Sequence, residues 1–202
     1  IGTSNGWLNT TDGNHKIQTG RTAPFDGSFL EEWKSGGLAD GKMYQTITGL
    51  NDGVYCIKLD AFARNIKRQK VYAASNGTTY YAALTGTSDS PATHTVYAIV
   101  SGGTLEIGLD NNGSTGNDWI GIDNAHLYYC GTGDDALALV LNHEANNLTV
   151  IIGTMVASPL KTALENYRDG KNTASTTSEY NSNISELHSV NEFFYCNTDL
   201  TA

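Results

Sequence analysis

Aromatic and amide side chains are the residues of this sequence that could recognise a ligand. The flat indole of a tryptophan suits the apolar C–H face of a sugar ring, while arginine and side-chain amides can hydrogen-bond its hydroxyl groups. Two of the three tryptophans stand beside polar stretches that hold such residues. The candidate carbohydrate-contacting residues are Trp33, Arg64, Asn65, Asn111, Asn112, Asn117 and Trp119. For each tryptophan taken alone, packing in a protein core is the preferred interpretation, and the shared rim is what favours binding.

Carboxylates offer a second kind of chemistry. Glu31-Glu32 and Asp134-Asp135 are the only adjacent acid pairs. Because neighbours on an extended chain point to opposite sides, neither pair is spaced as a general acid and a general base. We interpret both pairs as solvated charges, with a metal ligand from Glu31 or Glu32 as the alternative. Residues 110–114 begin like an EF-hand loop but lack its glycine and final glutamate, so we interpret them as a polar loop, with an irregular calcium loop as the alternative.

The composition excludes two classes of partner. Lys and Arg number 12 against 21 Asp and Glu, which gives a net charge of -9. Phosphate groups are bound by clustered Lys and Arg, so we expect neither nucleic acid nor an anionic membrane surface as a partner. The longest apolar runs are far shorter than the roughly 20 residues that span a bilayer, so we expect no membrane insertion. Since the chain opens at Ile1 without a start methionine or signal peptide, we expect a mature form or an excised part of a longer protein.

The three cysteines, Cys56, Cys130 and Cys196, match no zinc or haem spacing. Their odd number leaves at least one thiol outside any disulfide within the chain. We interpret them as small apolar side chains, with a Cys130–Cys196 disulfide as the alternative.

Before residue 131, apolar and polar residues alternate with the period of β-strands. Seven stretches rich in Val, Ile, Thr and Tyr are bounded by Gly, Asn, Asp and Ser, and no helical stretch interrupts them. The predicted strands are 44–48, 54–64, 70–74, 79–84, 93–100, 104–110 and 119–129. Seven successive strands predict an antiparallel β-sandwich.

The connections between these strands alternate between tight turns and long loops. The tight turns contain Gly or Asn, which tolerate a left-handed backbone. If successive strands alternate in direction, all the long loops meet at one rim of the sandwich, where functional residues are usually carried. The sequence therefore predicts a binding rim made of residues 25–33, 64–69 and 111–119.

The last predicted strand changes phase at Asp123-Asn124. Ile120 and Ile122 point one way, yet the apolar residues from Ala125 onward continue on the opposite parity. Such a slip predicts a β-bulge that turns Asp123 towards a partner for its carboxylate.

From Gly131 onward the apolar period becomes helical. One apolar stripe runs from Leu137 to Met155, and another runs from Tyr180 to Phe194. Between them, Ser158 can cap a helix that starts at Pro159 and stops at Gly170. Three such helices predict a small antiparallel bundle. We therefore predict two domains, a β-sandwich of residues 1–131 and a helical spacer of residues 132–202.

Three segments resemble the signature of bacterial galactose-binding-domain-like carbohydrate-binding modules. They are YQTITGLNDGVY at residues 44–55, GTLEIGL at 103–109 and NDWIGIDNAHLYY at 117–129, in matching order and spacing. The resemblance implies a jelly-roll β-sandwich, usually non-catalytic, that often binds carbohydrate through rim loops. The helical tail resembles the small bundles that follow such modules in secreted or cell-surface glycan-processing proteins.

The same resemblance implies one structural Ca²⁺, held by the carboxylate of the Ile-Asp motif in the last strand and by groups near the N-terminal strand. Asp123 matches that motif, and Glu31 or Glu32 with backbone carbonyls would complete an all-oxygen shell. The N-terminal N-x-x-F-E element of the family has no clear counterpart, since residues 5–8 lack the acid.

Three functions compete on these observations. The leading hypothesis is a non-catalytic module of a secreted or cell-surface protein, which binds a neutral glycan or polysaccharide and belongs with other modules of a longer chain. The second is part of a glycoside hydrolase, which would need two carboxylates facing a cleft. The third is a structural or adhesive module that binds another protein. If the rim is not the site, the open face of a sheet is the alternative location.

Overall fold

The computed structural model describes residues 6–20, 23, 25, 27–114 and 116–196 of the protein. Within these residues, ten strands form two five-stranded antiparallel sheets. The strands are β1 (Leu8–Asn9), β2 (Asn14–Thr19), β3 (Ser28–Trp33), β4 (Lys42–Thr48), β5 (Gly53–Ala63), β6 (Lys70–Ser75), β7 (Thr78–Ala83), β8 (Ala92–Val100), β9 (Thr104–Asp110) and β10 (Trp119–Gly131). Sheet A has the order β1-β4-β9-β6-β7, and sheet B has the order β2-β3-β10-β5-β8.

Apolar side chains from the inward faces of both sheets form the core. Met43, Leu105 and Leu109 of sheet A are fully buried, as are Leu59 and Ile122 of sheet B. Strand alternation directs these residues inward and their neighbours outward, and the removal of their apolar surface from water is the main force that stabilises the sandwich. The predicted fold class, a mainly β antiparallel sandwich followed by three helices, is confirmed.

The seven predicted strands correspond to β4–β10, and no strand end differs by more than two residues. Strands β1, β2 and β3 were not predicted from the sequence. In β2 only Ile17 is strongly apolar, and β3 places Glu31 beside Glu32, so neither strand shows a clear apolar and polar alternation.

One residue of β10 has a left-handed backbone conformation, at the position where the sequence predicts a bulge. Asn124 has a φ of 48°. Ile120 to Asp123 are buried before it, whereas Ala125 and His126 are exposed after it. The change in phase therefore coincides with a change from covered to solvent-facing strand.

Three long loops meet at one end of the sandwich, as strand parity predicts, but residues 28–33 of the predicted rim form β3, and the loop after them takes their place. We call residues 34–41, 64–69 and 111–118 the loop rim. Backbone N–H groups join them: Leu38 donates to the main-chain oxygen of Asn117 at 2.8 Å, and Arg68 donates to Ser114 Oγ at 3.3 Å. The tight turns lie at the other end, where the Leu50 N–H donates to the main-chain oxygen of Gly103 at 3.1 Å.

The remaining residues form three helices, α1 (Asp134–Gly153), α2 (Pro159–Lys171) and α3 (Thr177–Cys196). Ser158 caps α2 as predicted, because its hydroxyl accepts a hydrogen bond from the Lys161 N–H at 3.2 Å. Contacts between α1 and α3 join residues 43 to 47 positions apart in sequence, so these helices run parallel. Among the described helices, none is long and apolar enough to cross a bilayer.

The chain divides into two compact units between Tyr129 and Cys130. Whether these units fold independently, with the boundary at residue 131, stays a prediction. The alternative disulfide involves the side chain of Cys196, which lies outside the described residues.

Candidate functional site

Two of the three tryptophans are brought together at the loop rim. Trp33 ends β3 and Trp119 begins β10, and the two residues are direct partners in the antiparallel pairing of these strands. Partners in such a pair project to the same face of the sheet. Trp33 is 42% exposed, so it offers an indole surface to a ligand.

Trp119 is held more firmly than Trp33. Its Nε1 donates to Glu31 Oε2 at 2.8 Å, and the guanidinium carbon of Arg64 lies 4.8 Å from the centre of its ring. Phe62 packs edge-to-face against it with 5.0 Å between ring centres. These contacts occupy much of the Trp119 surface, so its first role is to hold Arg64 in place at the loop rim.

Arg64 and Asp118 form the polar part of the site. Arg64 Nη1 donates to Asp118 Oδ2 at 2.6 Å, and the Arg64 N–H donates to the main-chain oxygen of Trp119 at 2.9 Å. The Arg64 side chain is about half exposed. Because a guanidinium has five N–H donors, this pair can still donate to ligand hydroxyls, while the carboxylate offsets its charge.

A cluster of three buried phenylalanines packs against Trp119. Phe25, Phe29 and Phe62 are buried and pack edge-to-face, with ring centres 5.1 to 5.9 Å apart. Phe62 lies over Gly121, where an added Cβ would come within 2.7 Å of the ring atom Cζ. The glycine is therefore required for Phe62 to reach Trp119.

Two of the predicted carbohydrate-contacting residues have a different role in the structure. Asn111 and Asn117 are fully buried, and Asn117 Nδ2 donates to Asn111 Oδ1 at 3.2 Å. Asn117 Oδ1 accepts from the Asn65 N–H at 3.1 Å, and Asn111 Nδ2 donates to the main-chain oxygen of Ala39 at 3.3 Å. We call these two residues with Gln69, which also donates to Asn111, the amide cluster. Their side chains join the loops of the rim rather than face a ligand.

Asn65 and Asn112, by contrast, are exposed on the loop rim. Asn65 follows Arg64 directly, so it lies beside the polar part of the site. The Asn112 N–H donates to Asp110 Oδ1 at 2.8 Å, which shapes the turn and leaves Asn112 at the surface.

The three predicted calcium ligands do not converge on one point. Glu31 pairs with Gly121 across the strands and bonds to Trp119, whereas Glu32 lies on the opposite face of β3. There Glu32 accepts from Thr11 and lies 2.9 Å from His15 Nδ1. Strand alternation places Asp123 on the face of Gly121, so only Glu31 could share an ion with it.

No group of three or more His, Cys, Asp or Glu side chains is placed to hold a metal ion within the described ranges. Glu32 does not join a site with Asp123, because it lies on the opposite face of β3 and its carboxylate accepts from Thr11. The full ligand set therefore does not fit, and calcium at Asp123 stays a prediction.

A second polar and aromatic cluster, which the sequence analysis did not identify, lies on the outer face of sheet A. Gly108 of β9 stands between Tyr44 and Tyr72, its partners on β4 and β6, and Asp110 stands between Lys42 and Lys70. We call these residues with Glu106 the tyrosine face. Its only signal in the sequence is that Lys-x-Tyr occurs at residues 42–44 and again at 70–72.

The tyrosine face is internally bonded. Tyr72 Oη donates to Glu106 Oε1 at 2.7 Å, and Lys42 Nζ lies 4.4 Å from the centre of the Tyr72 ring. Burial and the nearby Glu106 carboxylate raise the pKa of Tyr72. A ligand would have to move Lys42 to reach this ring, whereas Trp33 is already exposed.

No protein-family model and no curated protein matches the sequence. Solved structures share its fold at low identity. The Stig cyclase Fisc from Fischerella sp. TAU, in complex with (3Z)-3-(1-methyl-2-pyrrolidinylidene)-3H-indole, has a TM-score of 0.50 and 15% identity over 66% of this chain and 89% of its own. TmCBM61 in complex with beta-1,4-galactotriose has a TM-score of 0.49 and 17% identity over 63% of this chain and 91% of its own. The CBM22-1 xylan-binding domain from Paenibacillus barcinonensis Xyn10C has a TM-score of 0.47 and 13% identity over 66% and 91%.

These structures include both a cyclase and carbohydrate-binding modules. One fold hosts several functions, so the function of this chain has to be inferred from its side chains.

Proposed function

We propose that the chain is a non-catalytic carbohydrate-binding module that holds a neutral glycan at the loop rim. The observation that carries the proposal is Trp33, a 42% exposed indole whose strand partner Trp119 packs against Arg64. An exposed tryptophan with adjacent hydrogen-bonding groups is suited to a sugar ring, which has an apolar face and a polar edge. The carbohydrate-binding modules among the solved structures support this class of ligand.

The charge of the site favours a neutral sugar. Asp118 compensates the positive charge of Arg64, with a distance of 2.6 Å between Nη1 and Oδ2. A uronate would therefore meet no free positive charge at this pair, and it would also approach a chain of net charge -9. Hydroxyl groups can both accept from Arg64 and donate to Asp118.

We expect modest affinity for a single sugar at this site. One exposed ring and one hydrogen-bonding pair make few fixed contacts, while a flexible ligand loses conformational freedom on binding. The amide cluster limits the cost on the side of the protein, because it joins the loops before any ligand arrives.

A glycan array with wild-type protein and Trp33→Ala tests the proposal. We expect wild type to bind neutral glycans, and we expect Trp33→Ala to lose at least about tenfold in affinity, the usual effect of removing a central aromatic contact. Tyr129→Ala is the matched control, because Tyr129 is exposed at the opposite end and donates to the main-chain oxygen of Asp52. Equal binding by wild type and Trp33→Ala would contradict a site at the rim.

The tyrosine face is the alternative location for the same function. Tyr44 is half-buried beside Gly108, so an aromatic ring and the partly exposed Lys42 are within reach of a ligand there, whereas Lys70 is buried. If Tyr44→Ala abolishes glycan binding and Trp33→Ala does not, the site lies on the outer face of sheet A.

The competing functions predict different results in simple assays. A glycoside hydrolase would release reducing sugar from a polysaccharide panel, whereas a binding module would not. An adhesive module would bind a protein and leave every glycan of the array unbound. We further propose that the chain acts outside the cell, where polysaccharides are met, in a protein with additional modules. Fractionation of the native host tests this location.

A further inference from the structure

The helical unit contains a cluster of buried polar side chains that the proposed carbohydrate site does not use. Glu144 of α1 is 1% exposed, and Asn191 of α3 is 2% exposed. Asn191 Nδ2 donates to Glu144 Oε2 at 2.6 Å and to the main-chain oxygen of Glu144 at 2.8 Å. His188 Nδ1 lies 3.2 Å from Glu144 Oε1. One carboxylate therefore connects α1 to two side chains that are one turn apart on α3.

The charge of Glu144 decides whether this arrangement is stable. A buried carboxylate is strongly destabilising when no positive group compensates it. Among the described residues that contact Glu144, His188 alone can carry a positive charge. Asn191 supplies hydrogen bonds but no charge, and its own Oδ1 is buried without a hydrogen-bond partner.

The other titratable groups near this cluster favour a proton on His188. Glu192 on α3 adds a negative charge near the imidazole. Tyr195, also on α3, stays neutral because burial and the charge of Glu144 raise its pKa. His143 of α1 is bonded to Asn147, with 3.3 Å between the nitrogens.

The titratable residues of α2 contact a different part of α3. Lys171 Nζ lies 2.7 Å from Glu186 Oε2, and Tyr167 Oη donates to the same oxygen at 3.2 Å. Glu186 and His188 are two positions apart on a helix and so project in nearly opposite directions. These groups do not supply a charge to Glu144.

We propose that Glu144, His188 and Asn191 form a proton-controlled latch between α1 and α3. While His188 carries its proton, the imidazolium and the carboxylate hold α3 against α1. When the proton leaves, Glu144 is buried without a positive partner, and α3 separates from α1.

The direction of the pH dependence follows from the surroundings of His188. Burial alone would lower its pKa, but the hydrogen bond and charge of Glu144, with the charge of Glu192, raise it above 6.5 overall. A group whose pKa is raised by folding stabilises the fold fully below its unfolded pKa, and this stabilisation is lost as pH rises through the folded pKa. The latch is therefore closed below pH 6.5 and opens on the alkaline side.

Hydrogen exchange of the full chain at pH 6 and pH 9, corrected for intrinsic rates, tests the latch. Protection of the α3 amides should fall at pH 9, by about tenfold for each unit by which folding raises the pKa of His188. Protection in β4 and β9, measured in the Glu32→Gln variant so that the titration of Glu32 in the sandwich does not contribute, should change much less. Equal loss in the helices and the sheets of that variant would overturn the proposal.

Two variants and one direct titration complete the test. His188→Gln should weaken α3 protection at pH 6 and remove its change between pH 6 and pH 9. The double variant Glu144→Gln/His188→Gln should recover protection at both pH values, because no buried charge remains. His126→Gln, at an exposed histidine of the sandwich, is the control and should behave as wild type. If the variants fail to fold, a wild-type NMR titration decides, since a His188 midpoint at or below 6.5 overturns the latch.

Discussion

At the scale of single residues, Glu32 is the most deeply buried carboxylate of sheet B. It is fully buried, accepts from Thr11 and lies against His15. Burial raises the pKa of Glu32 to about 8 and lowers the pKa of His15. Both groups are therefore mostly neutral at pH 7, and they can share a hydrogen bond without a buried charge.

This environment predicts how the stability of the sandwich depends on pH. Because folding raises the pKa of Glu32 from 4.5 to about 8, its contribution is complete below pH 4.5 and declines as pH rises towards 8. Glu32→Gln should remove this decline, since an amide stays neutral at every pH. Melting followed by tryptophan fluorescence is the measurement, because Trp7, Trp33 and Trp119 all belong to the sandwich unit. The same decline in Glu32→Gln as in wild type would contradict this account.

Gly121 gives a second prediction at the residue scale. A Cβ at this position would lie 2.7 Å from Cζ of Phe62, and overpacking of a filled core typically costs about 1–3 kcal/mol. Gly121→Ala should therefore lower the free energy of unfolding by that amount in urea, and it should also weaken glycan binding, since Phe62 supports Trp119. Gly133→Ala is the control, because an added Cβ there meets open space. Equal stability of both variants would show that Phe62 can move aside.

At the scale of elements, the amide cluster determines the shape of the loop rim. Asn117→Ala would leave the Asn65 N–H without its partner and would remove one of the two donors to Asn111 Oδ1, the other being Gln69. Burying unsatisfied groups costs about 1–3 kcal/mol, so this variant should be less stable and should bind glycan more weakly. Asn112→Ala, at an exposed neighbour, should change stability by no more than about 0.5 kcal/mol. Denaturant titration of both variants checks the difference, and similar values would mean that the cluster does not stabilise the rim.

Sequence patterns predict those helices, caps and turns of this chain whose cause lies within one short segment. Ser158 and Pro159 specify the start of α2 because the cap is local, and the phase slip at Asp123-Asn124 corresponds to a left-handed residue that Asn tolerates. In contrast, β3 contains two glutamates whose bonding partners lie on β2, on β10 and in the segment before β2. Those contacts connect distant parts of the chain, so the local pattern does not reveal them.

The same limit applies to the site. Strand parity brings Trp33, Arg64 and Trp119 to one rim without any knowledge of contacts. It does not predict that Asn111 and Asn117 hydrogen-bond to each other, because the sequence of a loop does not show whether an asparagine faces solvent or another amide. The tyrosine face exists because β4 and β6 are the neighbours of β9 in sheet A. No single segment of the sequence reveals this strand order.

At the scale of the whole molecule, the two units should be separable. The alternating pattern ends and the helical pattern begins at the glycine-rich segment 131–133, and the units divide next to it. Limited proteolysis should therefore leave a stable fragment near residues 1–131, seen by mass spectrometry. Loss of the tryptophan melting transition after cleavage would show instead that the chain is one cooperative unit.

The indole N–H signals of the three tryptophans report whether Trp33 contacts a neutral glycan at the loop rim. In an NMR titration with an oligosaccharide chosen from the array, the Trp33 signal should shift and saturate with the binding curve. Trp119 should shift less, because its Nε1 is bonded to Glu31, and buried Trp7 should stay in place. Saturable binding that leaves the Trp33 signal unchanged would contradict the claim and place the glycan elsewhere on the molecule.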